Sequence, residues 1–428
     1  MKLKKFLLRY YPPGIILEYV KSNGEMEVKS IDLLNLNEST DVPGLVEDIL
    51  AEESLIPPSK KHYLVSLIER LASKAACNAE QRFEPQRKLK AHNQPLTHCA
   101  FNKYGTQFLT GSYDRTCVIW DTASGAVLRT LEGHSNIVYC VAFNNPYGDR
   151  VATGSFDKTA KIWDARTGAC LATLVGHEQE LVSLSFEPHG NLLATGAMDF
   201  AAKLWDIETG KRVFDFLGHR GEVVSLHFTH DGDRLLTGSF DGTAKVWDVK
   251  SGQCVDSLEE HTQELSNALF EFAGDYAATG SLDKTVKLWD LRKSACVATF
   301  AEHRDEVLDI AFNATGTMLA SCSQDATARV YSVAEGACTA TLAGHSGAVS
   351  KVYFNPQGKK LLTCSEDTTA RLWDLTGRPL QTLAAHDDEI FSAVFNYNGD
   401  TAITASKDNT CVVWRDVLAP PPESLDTT

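Results

Sequence analysis

The 428-residue sequence predicts a mainly β fold: an eight-bladed β-propeller preceded by a small α+β domain. Three periodic observations predict it. His92, His134, His177, His219, His261, His303, His345 and His386 recur 41 to 43 residues apart. Each is followed 22 or 23 residues later by an aspartate: Asp114, Asp157, Asp199, Asp241, Asp283, Asp325, Asp367 and Asp408. Six residues beyond each aspartate stands Trp120, Trp163, Trp205, Trp247, Trp289, Tyr331, Trp373 or Trp414, which uses all seven tryptophans of the chain. A unit of about 42 residues has room for four short strands and matches the period of a propeller blade.

The strands themselves are legible. Val138–Phe143 and Thr159–Trp163 are β-rich with partial period-two alternation, and Tyr147-Gly148-Asp149, Asp231-Gly232-Asp233 and Gln357-Gly358-Lys359 supply turns between such segments. Trp414 closes a third strand with little chain left, so the outer strand of the last blade is expected from Glu84–Leu89, which locks the ring and removes sheet edges. The propeller is placed at residues 84–418, with a disordered tail at 419–428. Ahead of it, residues 1–80 form the α+β unit. Lys4–Arg9, Ile15–Lys21 and Glu25–Ile31 alternate as strands, with a hairpin turn at Lys21-Ser22-Asn23-Gly24. One helix starts after Asp41 with Pro43 in its first turn; a second is capped by Ser59 and carries the apolar stripe Tyr63, Leu64, Leu67, Ile68 and Leu71, read as the unit's own core.

Composition bounds the function. With 43% apolar and 23% charged residues the chain can bury a large core. The formal charge of −15 argues against a general nucleic-acid or anionic-membrane binder. Residues 1–90 are near neutral, with 14 basic and 13 acidic residues, so the acidity lies in the propeller, with 27 against 43. No apolar run approaches a membrane span. The apolar N-terminus is cut short by Arg9 and Pro12-Pro13-Gly14, without a signal-peptide cleavage site, so a soluble intracellular protein is expected. Eleven cysteines show no CxxC pair, and Cys170, Cys254, Cys296 and Cys338 share one repeat position, where they are expected to be small buried hydrophobes in a reducing compartment.

Two residues before the repeat aspartate stands Ser112, Ser155, Ser239, Ser281, Ser323, Ser365 or Ser406, with Ala197 in the third repeat. Serine, histidine and aspartate suggest a hydrolytic triad, but a triad occurs once and has an oxyanion hole. A constellation repeated seven times without a nucleophile elbow is architecture. Sets such as His134, Ser155, Asp157, Trp163; His219, Ser239, Asp241, Trp247; and His261, Ser281, Asp283, Trp289 are expected to be structural networks, with the serine accepting the indole N–H. No catalytic, cofactor or metal residues emerge. His227 and His230, three apart without ligand partners at zinc spacing, read as a solvated turn, and no phosphate- or dinucleotide-binding loop is present.

A partner face is the remaining candidate. The residue before the aspartate reads Tyr113, Phe156, Met198, Phe240 and Leu282 in five consecutive repeats, then Gln324, Glu366 and Lys407. Five apolar residues on a turn expected to face solvent, with Tyr139 nearby, form a candidate interface. Glu180, Glu222, Glu264, Glu306 and Glu389, three positions after the histidine, form an acidic crown suited to a basic partner.

Gly133-His134 and Trp163-Asp164, with their eight-fold periodicity, resemble the WD-repeat family. Met1–Ile15, Thr110-Gly111-Ser112-Tyr113-Asp114-Arg115-Thr116-Cys117 and Phe143-Asn144-Asn145-Pro146-Tyr147-Gly148-Asp149 are similar to its dynein assembly factors, which are ciliary cargo adaptors. That resemblance implies a non-enzymatic monomer with two partners, outer-arm axonemal dynein and a subunit of intraflagellar transport complex B. It also implies residence in the cytoplasm, basal-body region and cilium or flagellum. A WD-repeat scaffold or ubiquitin-ligase substrate receptor is the alternative, although residues 1–80 lack an F-box-like helical run. Departures from the blade pattern are Ala197 and Ala201 in the third repeat, Tyr331-Ser332 in the sixth and Arg415 in the eighth, each expected to weaken a single blade's staple.

Overall fold

The computed structural model describes residues 2–21, 26–37, 40–53, 55–75, 80–145 and 147–419; the hairpin turn expected at 22–24 and the tail from 420 lie outside them. The chain divides into two compact units, residues 1–80 with 356–359, and a larger body made by 81–355 and 360–428.

In the first unit, β1 (Lys2–Arg9), β2 (Gly14–Val20) and β3 (Met26–Asp32) form an antiparallel sheet in that order. Ile15 and Leu17, on one face of β2 by period two, are fully buried against two helices. Helix α1 (Val42–Glu52) follows Asp41 at its N-cap position with proline in the first turn, and it buries Val46 and Ile49. Helix α2 (Lys61–Ala75) contributes Leu64, Ile68 and Leu71 to the same core. Ser59 does not cap α2. It lies inside a single 3-10 turn, Pro58–Lys60, which feeds α2 directly. Tyr63 also departs from the core stripe: it is exposed and packs edge-on against Phe6, with ring centroids 5.7 Å apart.

The second unit is a ring of eight four-stranded antiparallel sheets. Blade 1 runs from inside to outside as Leu96–Phe101, Gln107–Ser112, Cys117–Asp121 and Val127–Leu131. Blades 2 to 7 repeat that order. Blade 8 is completed by β4 (Phe83–Leu89), which pairs antiparallel with Cys411–Asp416 and closes the ring. The cores lie between blades rather than within them. Trp163 of blade 2 packs with Leu109, Ile119 and Leu131 of blade 1, and Trp120 of blade 1 packs with Ile403 and Val413 of blade 8. Each interface therefore buries a large aromatic residue at 0–3% exposure, which makes every blade depend on its neighbour.

The four register-matched cysteines are not buried. Cys170 and Cys254 are exposed, and Cys296 and Cys338 are half-buried. Each is the first or second residue of an outer strand, opposite the repeat aromatic at a register shift, as in Trp163↔Cys170, so it stands on the solvent side of the ring. Among the described residues the buried thiols are Cys99, Cys117, Cys140, Cys322, Cys364 and Cys411, from the three inner layers of strands.

Arg415 has a simple cause. In other blades the residue after the aromatic caps the hairpin to the outer strand: Asp164 Oδ1 accepts the N–H of Thr167 at 2.6 Å. Blade 8 has no such hairpin, because β4 arrives from the other end of the chain. Asp416 works instead, accepting the N–H groups of Arg82 and Leu418 at 3.1 Å each.

Candidate functional site

At one rim of the ring, here the upper rim, the turn from second to third strand meets the loop entering each inner strand. In blade 2, Trp163 Nε1 donates to Thr153 Oγ1 at 2.8 Å, and Thr153 Oγ1 lies 2.7 Å from His134 Nε2. His134 Nδ1 in turn lies 2.8 Å from Asp157 Oδ2. Asp157 also accepts from Ser135 N–H, Thr159 N–H and the Thr159 hydroxyl. A neutral imidazole with its proton on Nδ1 completes a one-way relay from indole through hydroxyl and imidazole to carboxylate. The same relay occurs with Trp247, Thr237, His219 and Asp241 in blade 4. It recurs with Trp289, Thr279, His261 and Asp283 in blade 5.

The relay hydroxyl is thus threonine, four residues before the aspartate, and not the expected serine. Ser155 Oγ instead donates to the Asn136 carbonyl at 3.1 Å and accepts from Asp157 N–H at 3.1 Å, tying turn to loop. Ser281 bonds likewise to Gln263 and Asp283, and Ser239 accepts from Asp241 N–H. Blade 3, despite Ala197, therefore keeps its relay through Trp205, Thr195, His177 and Asp199.

The electrostatics follow from these bonds. Burial alone would raise each repeat aspartate, but the histidine, the threonine hydroxyl and backbone N–H groups outweigh it. Asp283, Asp325 and Asp367 are held at about 2, and Asp114, Asp157, Asp241 and Asp408 lower still. Burial, opposed only in part by the aspartate, pushes His261, His303, His345 and His386 down and keeps them neutral. Each relay is a satisfied structural network rather than a poised acid–base pair.

These relays set the stage for the rim residues. The N–H of Met198 donates to the Glu180 carbonyl, that of Phe240 to Glu222 and that of Leu282 to Glu264, each at 2.9 Å. Gln324 and Lys407 bond in the same way to Glu306 and Glu389. An apolar residue and a glutamate are therefore held side by side on blades 3, 4 and 5. Phe240 is 42% exposed and Tyr113 is exposed as well; Phe156, Met198 and Leu282 are half-buried. Tyr139, on the inner strand of blade 2, stacks on Phe156 with centroids 5.2 Å apart. Glu389 is engaged by Lys407 at 3.1 Å, whereas Glu180, Glu222, Glu264 and Glu306 form no ion pair among the described residues.

Two features escape the sequence pattern. Phe200, just after Asp199, adds an exposed ring at φ +67°. The inner strands of blades 4 to 7 are also laced together. Ser225 Oγ donates to Asn267 Oδ1 at 2.8 Å, Asn267 Nδ2 to Asp309 Oδ1 at 2.7 Å, and Lys351 Nζ pairs with Asp309 at 3.2 Å. His227 belongs near this inner wall and not to a solvated turn: its Nδ1 accepts the Phe270 N–H at 3.2 Å, and burial lowers it to about 4. His230 alone lies exposed in the turn. Among the described residues no group of histidine, cysteine and carboxylate side chains could hold a metal ion, and no helix is long and apolar enough to cross a membrane.

Eight closed blades, each locked by an aromatic–hydroxyl–histidine–aspartate relay, define a repeat propeller whose varied residues lie on its rims. The chain belongs to the family described as WD domain, G-beta repeat, matched at residues 83–121, 125–164, 168–206, 210–248, 252–290, 294–332, 336–374 and 377–415. It is 58% identical over 146 residues to "Dynein assembly factor with WD repeat domains 1" of Macaca fascicularis and to the protein of that name from Homo sapiens. Those alignments span 34% of this chain and 35% of each relative. Among solved structures, the computationally designed Ika8 protein matches with a TM-score of 0.70 and 30% identity, over 78% of this chain and 99% of that one.

Proposed function

We propose that the protein is a non-enzymatic adaptor in dynein assembly. It links preassembled outer-arm axonemal dynein to a subunit of intraflagellar transport complex B, so that dynein passes from the cytoplasm and basal-body region into the cilium or flagellum. The observation that carries the reading is the 58% identity to relatives named as dynein assembly factors. The rim chemistry supports it: the polar constellation that resembles a catalytic triad is spent on structure in every blade. What remains is an apolar and acidic surface suited to binding protein. Affinity capture of the full chain from ciliated cells, read by mass spectrometry, tests it. Outer-arm dynein chains and transport-complex B subunits are expected above a propeller control. Enrichment of cullin adaptors in their place would overturn the reading in favour of a ubiquitin-ligase receptor.

A further inference from the structure

Blade 3 departs from its neighbours at the upper turn. Elsewhere a serine and a threonine flank the repeat aspartate and bond to it; here Ala197 and Ala201 replace them. Asp199 keeps His177 and the N–H groups of Glu178 and Ala201 but receives no hydroxyl. Apolar surface stands where the polar stitching was. Phe200 occupies the left-handed position at φ +67°, which Arg115, Lys158 and Lys284 hold in blades 1, 2 and 5 and Gly242 holds in blade 4. It is 44% exposed. A bulky apolar residue in that backbone conformation, facing water, is the kind of local cost that collects at binding sites.

The pairing Ala202↔Phe216 brings the next residue, Leu217, alongside Ala201, and Leu217 is 68% exposed. The equivalent residue of blade 2 is Val175, paired with Thr159 and 71% exposed. In blades 1 and 4 that position is Glu132 and Glu259, and in blades 5 to 7 it is alanine. Val175, Leu217, Phe200 and Phe240 thus place four large exposed apolar groups on blades 2 to 4, toward the outer corner of the upper rim, with half-buried Met198 between them. Carboxylates outnumber cations around them, where Arg220 and Lys158 are the exposed bases. Glu178, Glu180 and Glu222 have no ion-pair partner among the described residues, and Lys158 Nζ is engaged by the Glu178 carbonyl at 2.8 Å.

We propose that this corner docks a basic peptide segment with apolar anchors, supplied by a binding partner of the propeller. Aliphatic or aromatic side chains settle on Phe200 and Leu217, and lysine or arginine side chains reach the unpaired glutamates. The assignment of the partner rests on the adaptor reading, and the test separates the two. Short overlapping peptides covering outer-arm dynein and transport-complex B subunits are arrayed and probed with the purified full chain. The bound peptides are expected to be net basic with apolar anchors, and to lose about tenfold or more in affinity with Phe200→Ala plus Leu217→Ser. Leu171→Ser plus Val255→Ser, equally exposed positions on the outer strands, is expected to leave binding unchanged, with all variants melting like the parent. Acidic bound peptides, or full affinity in the Phe200/Leu217 variant, would overturn the docking site and leave the adaptor reading intact. An array on which the parent chain binds nothing would likewise overturn the docking site, whereas the adaptor reading falls only if capture from ciliated cells returns neither dynein nor transport-complex subunits.

Discussion

Ser321 Oγ lies 3.1 Å from the phenol oxygen of Tyr331, in the one blade where threonine and tryptophan are both replaced. Ser321 also lies 2.7 Å from His303 Nε2, so the sixth relay survives through a paired exchange. Tyr331 is fully buried and its ring stacks on Phe300 with centroids 4.2 Å apart. What reads in the sequence as a weakened blade is an alternative solution. Tyr331→Phe removes one buried hydrogen bond and is expected to cost about 1 kcal/mol. Tyr331→Trp with Ser321→Thr should be less destabilising than the sum of the single changes, with a coupling of about 0.5–3 kcal/mol. Strict additivity in urea titrations would count against a coupled pair.

The threonine of each relay serves two partners, and that sets a ranking. Thr153→Val keeps the shape but leaves the Trp163 N–H and His134 Nε2 both unpaired in a buried site, so a loss of about 2–4 kcal/mol is expected. Ser155→Ala removes one bond to a loop carbonyl and one from a turn N–H, and about 1 kcal/mol is expected. Blade 3 carries alanine at this position in its natural sequence and keeps its relay. Equal losses for the two variants in chemical denaturation would contradict this assignment.

The distinction was not legible from periodicity, and the reason is geometric. Thr153 and Ser155 are two apart on one strand, both fully buried, and period two cannot separate them. The register does. Trp163 pairs opposite Val151, so its indole reaches one two-residue step, about 6.6 Å, to Thr153 and not a second step to Ser155. The recurrence of a hydroxyl ten residues before every repeat aromatic, Thr110 to Thr404 with Ser321 in blade 6, was an available signal. The ring and both helices of the first unit were legible because they rest on periodic patterns, and β4 was legible because the eighth repeat lacks a fourth strand of its own. The exposed corner at Val175, Phe200 and Leu217 was not: outer-strand ends carry no repeating code, and exposure there depends on how strands pair. Cys170 and Cys254 misled for the same reason.

Aspartates of different blades should not be equivalent. Asp157 accepts from His134, two backbone N–H groups and the Thr159 hydroxyl, and its own N–H is held by Ser155. Asp199 lacks both hydroxyl contacts, and its carboxyl, although lowered, is held by fewer groups. Asp157→Ala is therefore expected to cost about 1 kcal/mol more than Asp199→Ala. Matching losses in melting temperature would show that the hydroxyl contacts contribute little.

Acid should weaken the ring in two stages. His98 and His227 are lowered by burial from 6.5 to about 4, and His261, His303, His345 and His386 are lowered too. The unfolded chain thus binds more protons below pH 6.5, and stability falls as pH drops toward 4. Asp283, Asp325 and Asp367, at about 2 instead of 3.8, extend the loss at still lower pH. Melting temperature should be flat between about pH 7 and 8, below the range where the buried thiols matter, and decline below 6.5. His98→Gln with His227→Gln should make the upper stage shallower, and an unchanged slope would remove these two residues from its cause.

Phe200 offers a test in which stability and binding move in opposite directions. A left-handed conformation costs an L-residue about 1–2 kcal/mol, and glycine pays part of that back in unfolded-chain entropy. Blade 4 already uses Gly242 at the matching position, with φ +80°. Phe200→Gly removes an exposed ring without opening a cavity, because the side chain is 44% exposed. A gain of up to about 1 kcal/mol is therefore expected, and a higher melting temperature with it. The same variant should bind basic, apolar-anchored peptides more weakly, since the ring is their proposed anchor. A stabilised variant that has lost affinity would show that blade 3 keeps phenylalanine at an energetic cost for the sake of a partner. If stability instead falls, Phe200 is packed usefully within its own blade, and the docking assignment loses its central residue.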